Sequence, residues 1–344
     1  IYFARAPSGW RRACRIDLGS GGVEPLTGFA GFTDVNQICA SPRGTAVAAI
    51  CSSATTPPKI ISATRSHSHT WTRSNAMGVN PQGLSQPTDV SWSSADGSPV
   101  FGLLYPAVNG DDGPAPLIVD VHGGPTGHAA CGFSPETQYF ATRGYLVLTV
   151  NFRGSTGYGR SYMEALRGNW GVVDVEDVVS GARHLVESGM ADPQRLVIAG
   201  GSSGGYTVLR ALIMHPGFFR AAVCRYGLTD LVALVGETHK FEARYFDSLL
   251  GALPGSEALY RARSPLFAAD DLIDPVILFQ GEDDDVVPRA QSDAIVGSLR
   301  RRGVPHEYHV FPGEGHGFRK PETVQAYVRL VESFLARHLK PPSA

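Results

Sequence analysis

Cysteine is scarce in this chain of 344 residues: five thiols, at Cys14, Cys39, Cys51, Cys131 and Cys224, an odd number with no CxxC pair. That argues against a disulfide framework and for reduced thiols in a cytoplasmic protein. Long hydrophobic runs are missing too. No stretch approaches the ~18 apolar residues that a spanning helix needs. Neither sign of charge is in excess, with 30 Lys and Arg against 32 Asp and Glu. The charges are interleaved, so neither a nucleic-acid nor a membrane partner is expected. A secretory leader is not visible. The chain opens at Ile1 inside a strand-like stretch without a methionine, so the natural chain is expected to start upstream, and the missing leader weighs little. What is present is ample apolar content, 43% of residues, enough for a sizeable core.

Two textures divide the chain. Before about residue 85, short β-branched and aromatic runs ("IYFARA", "RRACRIDL", "TAVAAICSS", "KIISAT") alternate with turn clusters ("GSGG", "SPRG", "TTPP"). These are signatures of short antiparallel strands. One reading is the last two blades of a β-propeller, with the remaining blades on a missing N-terminal part or on a separate chain. The other is a fragment of a small β-sandwich. From residue 86 to 344 the pattern changes. A hairpin is expected in "TDVSWSSADGSPVFGLLYPA", turning at Asp96-Gly97. Continuous apolar runs follow: "PLIVDVHGG", "YLVLTVNFRG", "RLVIAGG", "AAVCRYG", "PVILFQGEDD" and "EYHVFPGEGH". Such runs suit strands buried on both faces of a parallel sheet. Between them, apolar residues at 175, 178, 179, 182, 185 and 186 mark one face of a helix, and "TVQAYVRLVESFLARHL" repeats the pattern. The alternation implies a doubly wound α/β sheet, whose ligands bind at the carboxyl ends of the strands.

One such end carries two adjacent serines in "RLVIAGGSSGGYTVLRALI". Ser202 fits Gly-x-Ser-x-Gly with Gly200 and Gly204, and Ser203 fits it with Gly201 and Gly205. A strand-to-helix turn of this kind exposes a serine hydroxyl as a nucleophile, and its close backbone crossing demands small residues on both sides. A phosphate-binding turn is disfavoured, because neither a lysine nor the GxGxxG spacing is present. Gly205 tips the choice towards Ser202: one turn into the helix, it permits close packing on the sheet, where the alternative would place Tyr206.

The hydrolase chain order then requires an acid and a histidine downstream. "GEDDDVVP" offers Asp283, Asp284 and Asp285 at one strand end, and "PGEGHGF" offers His316, flanked by two glycines, at the next. The imidazole would act as general base and acid, and the aspartate would fix its tautomer. The oxyanion would be met by the backbone N–H of Ser203 and by a second N–H from "HGGP", residues 122–125. No cofactor is implied. "SHSH", residues 66–69, has ligand-like spacing but lacks an acidic or cysteine partner, so it is read as a polar loop and not as a metal site.

In this order, "VDVHGGP", "NFRGSTGYG", "GNWGVVDVEDV", "GGSSGGY", "THKFEARY", "GEDDDVVP" and "GEGHGF" resemble the catalytic domain of the prolyl oligopeptidase family, in its acylaminoacyl-peptidase and bacterial aminopeptidase branch. The resemblance covers residue 86 to the end. It implies an α/β-hydrolase fold behind a β-propeller, so that residues 1–85 would be the last blades. Carried over motif by motif, it makes Ser202 the nucleophile, selects Asp284 from the acidic triplet, keeps His316 and names Gly124 as the second oxyanion donor. The residue after the nucleophile is often larger in relatives than Ser203. Arg153 is expected to form a structural ion pair in preference to touching substrate. Phe241 and Tyr245 fall in a region that walls the substrate pocket in relatives, with core packing as the alternative.

The resulting expectation is a serine peptidase that cleaves short peptides or aminoacyl amides through an acyl-enzyme and releases an N-terminal residue, free or acylated. Dipeptidyl release, a carboxylesterase or amidase on the same fold, and an inactive binding scaffold are the rival readings. A homo-oligomer is compatible with all of them.

Overall fold

The alternating runs near the N-terminus form strands because every second side chain finds an apolar neighbour. In the computed structural model, which describes residues 1–64, 67–73, 80–110, 113–237 and 244–339, β1 (Tyr2–Arg5), β2 (Arg12–Ile16) and β3 (Val23–Pro25) make a three-stranded antiparallel sheet. β4 (Asp34–Ala40), β5 (Val47–Ser53), β6 (Thr56–Ala63) and β7 (Ser68–Arg73) make a four-stranded antiparallel meander. Val47, Ala49 and Cys51 alternate inwards along β5 and meet Val35, Ile61, Ala63, Ala13 and Phe29 in one core. Of the residues read as the polar loop "SHSH", Ser66 lies outside the described residues and the last two require a correction. Ser68 and His69 pair with Ala63 and Ser62 as part of β7, and the His69 ring lies edge-on to Trp71, 4.6 Å between centroids.

The long apolar runs form a third, larger sheet: β8 (Thr88–Ser93), β9 (Pro99–Tyr105), β10 (Ala115–Val121), β11 (Leu146–Asn151), β12 (Ala191–Gly201), β13 (Ala221–Arg225), β14 (Val276–Gly281) and β15 (His306–Phe311). Their order is β15-β14-β13-β12-β10-β11-β9-β8. The pairings of β10 with β12, β12 with β13, β13 with β14 and β14 with β15 are parallel. The expected hairpin joins β8 to β9, with Gly97 at φ +81° and the Ser94 amide donating to the Ser98 carbonyl. β11 and β14 are buried along their whole length, as helices on both faces of a sheet require. Each Val, Ile or Leu so buried contributes about 1.5–3 kcal/mol, so a charge at Val197 in the middle of β12 would break the sheet.

The helix expected over residues 175–186 spans Val173–Glu187 and buries Val175, Val178, Val179, Ala182 and Leu185 on one face. The closing helix, Pro321–His338, buries Tyr327, Val331, Phe334 and Leu335. By internal contacts the chain divides into two compact units: Ile1–Val90 with Gly102–Asp111 and His128–Val147, and Ser91–Phe101 with Asp112–Gly127 and Leu148–Ala344. The second unit carries every catalytic candidate. Among the described residues no helix is long and apolar enough to cross a membrane.

Candidate active site

β12 runs directly into the helix Ser203–Met214, and Ser202 is the hinge between them, at φ 57° and ψ −125°. A non-glycine residue with positive φ costs of order 1–3 kcal/mol and persists only where its surroundings hold it. Here its amide donates to the Arg225 carbonyl at the end of β13, 2.9 Å away. The crossing of strand and helix leaves no room for side chains. A Cβ on Gly204 would stand 2.1 Å from the Val121 carbonyl oxygen, and one on Gly200 would stand 2.6 Å from the Gly204 carbonyl. Gly205 faces β13, where a Cβ would come within 2.9 Å of the Arg225 oxygen.

The two serines have different surroundings. Ser202 is partly exposed. Ser203 is 2% exposed, and its hydroxyl oxygen is buried without a hydrogen-bond partner among the described residues. Ser203 is instead the first residue of the helix, where an amide has no intrahelical acceptor.

Of the acidic triplet, Asp283 and Asp285 are exposed and Asp284 is buried. The loop folds Asp284 inwards because its own amides need an acceptor: Val286 and Val287 donate to Oδ1 at 3.0 and 2.9 Å. Gln280 donates to Oδ2 at 3.2 Å and is itself held by the Ser292 hydroxyl and the Val287 carbonyl. His316 completes this shell, with Nδ1 2.9 Å from Oδ2 and 3.2 Å from Oδ1. Nδ1 must therefore carry the proton, which leaves Nε2 as the basic nitrogen.

The loop that presents His316 is anchored by Glu314, whose carboxylate accepts from the amides of Arg319 and Lys320 at 3.0 and 2.9 Å. Burial works against that charge, but the Lys320 and Arg319 amides outweigh it and hold the carboxyl below its ordinary range. The residues alone had not pointed to Glu314.

Tyr226 connects the histidine to the nucleophile turn. Its ring lies 4.6 Å from the His316 ring and packs on Phe318. Its edge is 3.0 Å from where a Cβ on Gly201 would stand. Tyr226 also has a positive φ, 38°, rare for a bulky residue, with its amide donating to the Phe279 carbonyl. Among the described residues Ser202 and His316 are not hydrogen-bonded to each other; such contacts often tighten only around a substrate.

The loop after β10 lies against the serine. A Cβ on Gly123 would meet the Gly201 carbonyl at 3.2 Å and Ser202 Cβ at 3.5 Å. Gly124 follows at φ +134°, a region open to glycine. Tyr245, on the short helix Tyr245–Leu250, accepts from the Thr126 amide at 3.0 Å and hydrogen-bonds its hydroxyl at 2.6 Å, so this side chain does reach the loop after β10. Phe241 lies outside the described residues. Arg153 follows its ion-pair reading. Its Nη2 is 2.7 Å from Asp177 and 3.1 Å from the Ser94 hydroxyl, its Nη1 is 2.5 Å from Asp96, and its Nε bonds Asp177 again. With those donors engaged, the guanidinium is held inside the fold and not presented to a substrate.

A mostly parallel sheet, a strained serine on a strand–helix turn after β12 and an Asp–His pair on the loops after β14 and β15 define an α/β-hydrolase domain of the serine class. The chain belongs to the prolyl oligopeptidase family, whose signature matches residues 131–342. It is 36% identical over 233 residues to dipeptidyl aminopeptidase BIII of Pseudoxanthomonas mexicana, covering 66% of this chain and 34% of that protein. It is 34% identical over 215 residues to an acylamino-acid-releasing enzyme of Arabidopsis thaliana, covering 60% of this chain and 28% of that one. A solved Mycobacterium tuberculosis puromycin-hydrolyzing peptidase superposes with a TM-score of 0.91 at 36% identity, covering 98% of this chain and 52% of that one. The chain thus spans about a third of the length of these curated relatives and about half of that structure.

Proposed function

We propose that the protein is a serine exopeptidase that cleaves short peptides or aminoacyl amides through an acyl-enzyme, releasing an N-terminal residue that is free or acylated. The observation that carries this is the buried Asp284 holding His316 by Nδ1 at the ends of β14 and β15, in the same sheet whose β12 ends at an accessible serine on a strained turn. His316 takes the proton of Ser202 as the hydroxyl attacks the scissile carbonyl, then returns it to the leaving amine. Asp284 keeps the imidazole in the competent tautomer and stabilises its cationic form. The amides of Ser203 and Gly124 receive the oxyanion. Tyr245, tied to Thr126, flanks the bound acyl group.

We take residues 1–85 as the last blades of a β-propeller and residues 86–344 as the catalytic domain. The four-stranded antiparallel meander β4–β7 supports this, since a propeller blade is a sheet of that kind. Five free thiols, four of them buried, favour a reducing compartment such as the cytoplasm.

The test is a panel of aminoacyl and acylaminoacyl p-nitroanilides beside p-nitrophenyl esters, with fluorophosphonate labelling. Turnover of anilides, labelling at Ser202 and at least a 10³-fold loss of kcat in Ser202→Ala are expected. Turnover of esters alone would sink the peptidase assignment, and full activity in Ser202→Ala would sink the assignment of the nucleophile.

A further inference from the structure

The Gly123–Gly124 peptide carries both a carbonyl and the N–H proposed as an oxyanion donor. In a planar trans peptide these two groups point in opposite directions, so fixing one fixes the other. Glycine on both sides is what lets this backbone lie against Ser202, but it also removes the Cβ atoms that would oppose rotation of the peptide plane. Something else must set the direction of the N–H.

His122 contacts the other end of that same peptide. Its Nδ1 lies 2.8 Å from the Gly123 carbonyl oxygen. A carbonyl only accepts, so Nδ1 is the protonated nitrogen, and Nε2 of the neutral ring is an acceptor. Nε2 lies 2.8 Å from the Ser155 hydroxyl, which donates to it. Ser155 is fully buried and its amide is tied to the Phe152 carbonyl. The imidazole lies flat on the Phe152 ring, 4.4 Å between centroids and 14° between planes. The Gly123 carbonyl thus sets the tautomer, and the loop after β11 sets the position and tilt of the ring.

We infer that His122 is a positioning residue that aims the Gly124 N–H at the oxyanion by holding the Gly123 carbonyl, and that Ser155, by donating to Nε2, holds the ring in place to do so; this rests on the serine-hydrolase reading above. His122 touches neither substrate nor nucleophile in this role. It acts through one peptide plane.

The experiment compares His122→Gln with His122→Asn in the full chain. Both lose the ring that stacks on Phe152, so a merely structural role would lower both alike. Only asparagine places an amide N–H where Nδ1 was. His122→Gln is expected to lose roughly 10²-fold in kcat, the scale of one oxyanion donor, with KM changed less than about threefold. His122→Asn is expected to recover to within about tenfold of the parent, and Ser155→Ala to fall between the two. A His122→Gln variant within twofold of the parent, or an asparagine variant no better than glutamine, overturns the inference. Histidine-selective ¹⁵N NMR of the unmodified protein gives a readout independent of turnover: His122 is expected as the Nδ1–H tautomer, and an Nε2–H tautomer overturns the proposal. Absence of fluorophosphonate labelling and turnover in the parent would instead count against the hydrolase reading, leaving the tautomer to decide whether His122 holds the Gly123 carbonyl.

Discussion

The second unit buries two aspartates beside a nitrogen base, and the two regions use the same interaction for opposite ends. Asp177, on the helix Val173–Glu187, is fully buried and meets the guanidinium of Arg153, which follows β11, through both oxygens, with Ser94 and the Arg153 amide completing its shell. After β14, Asp284 is equally buried and equally saturated with hydrogen bonds, but its base is His316, whose side chain keeps 23% of its surface exposed. Arginine cannot give up its proton, and its planar fork spends its donors on fixed acceptors. An imidazole spends one nitrogen on the acid and leaves the other for chemistry. The arginine pair locks the β8–β9 hairpin, the loop after β11 and the helix Val173–Glu187 together. The histidine pair holds a base in position and leaves it able to exchange a proton. Burial of an acid is therefore not what marks a catalytic site; the titratable and partly exposed partner is.

Breaking each pair should damage a different property. Asp284→Asn keeps the volume but can no longer accept the Val286, Val287, Gln280 and His316 donors together, and it permits the wrong imidazole tautomer. A kcat loss of about 10⁴-fold is expected, with little change in KM, read on a p-nitroanilide substrate. A loss under tenfold would move the acid role elsewhere. Arg153→Met leaves Asp177 charged, buried and short of its partner. Urea unfolding should show a loss of roughly 3–5 kcal/mol, with kcat per folded molecule retained. Replacing both partners, Arg153→Met with Asp177→Leu, should recover part of that loss, because no uncompensated charge remains. Equal stability of the single and double variants would mean that the pair contributes through packing.

Much of this organisation is legible in the residues, for identifiable reasons. The parallel strands are continuous apolar runs because both their faces are covered, and the serine turn is visible because its crossing tolerates only glycine at 200 and 204. His316 stands out because of the glycines beside it. Other features leave no local trace. β4 buries only Val35 fully, so its alternation is too weak to read, and β3 is three exposed residues. Tyr226 reads as the end of an apolar run, and nothing in "CRYG" announces its positive φ. Arg153 finds its acids 57 residues before and 24 residues after itself, and Asp96 reads only as a turn residue. His122 and Ser155 stand 33 positions apart on two loops, and only the folded sheet brings them together.

A third buried aspartate sharpens the comparison with the smallest expected effect. Asp174, fully buried at the start of the helix Val173–Glu187, accepts from neutral donors, among them the Gly171 amide at 2.6 Å and the Thr207 hydroxyl at 2.7 Å. Burial dominates here and pushes its carboxyl up to about 6, with Thr207 and Gly171 opposing. Thr207 lies on the helix that begins at Ser203, so this acid supports the nucleophile turn from behind. Its folded value lies above the unfolded one of about 4, so between those pH values the folded chain binds more protons than the unfolded chain. The contribution of Asp174 to stability is therefore greatest below about pH 4 and declines as pH rises through about 6, by roughly 2–3 kcal/mol at about 1.4 kcal/mol per unit. Asp174→Asn removes this titration and leaves the other groups to titrate as before. The stability of the parent relative to the variant should fall by that amount between pH 4 and pH 7 in paired urea titrations. A difference that stays flat across this range would show that the carboxyl titrates at its ordinary value, and that neutral donors alone are enough to keep a buried aspartate charged.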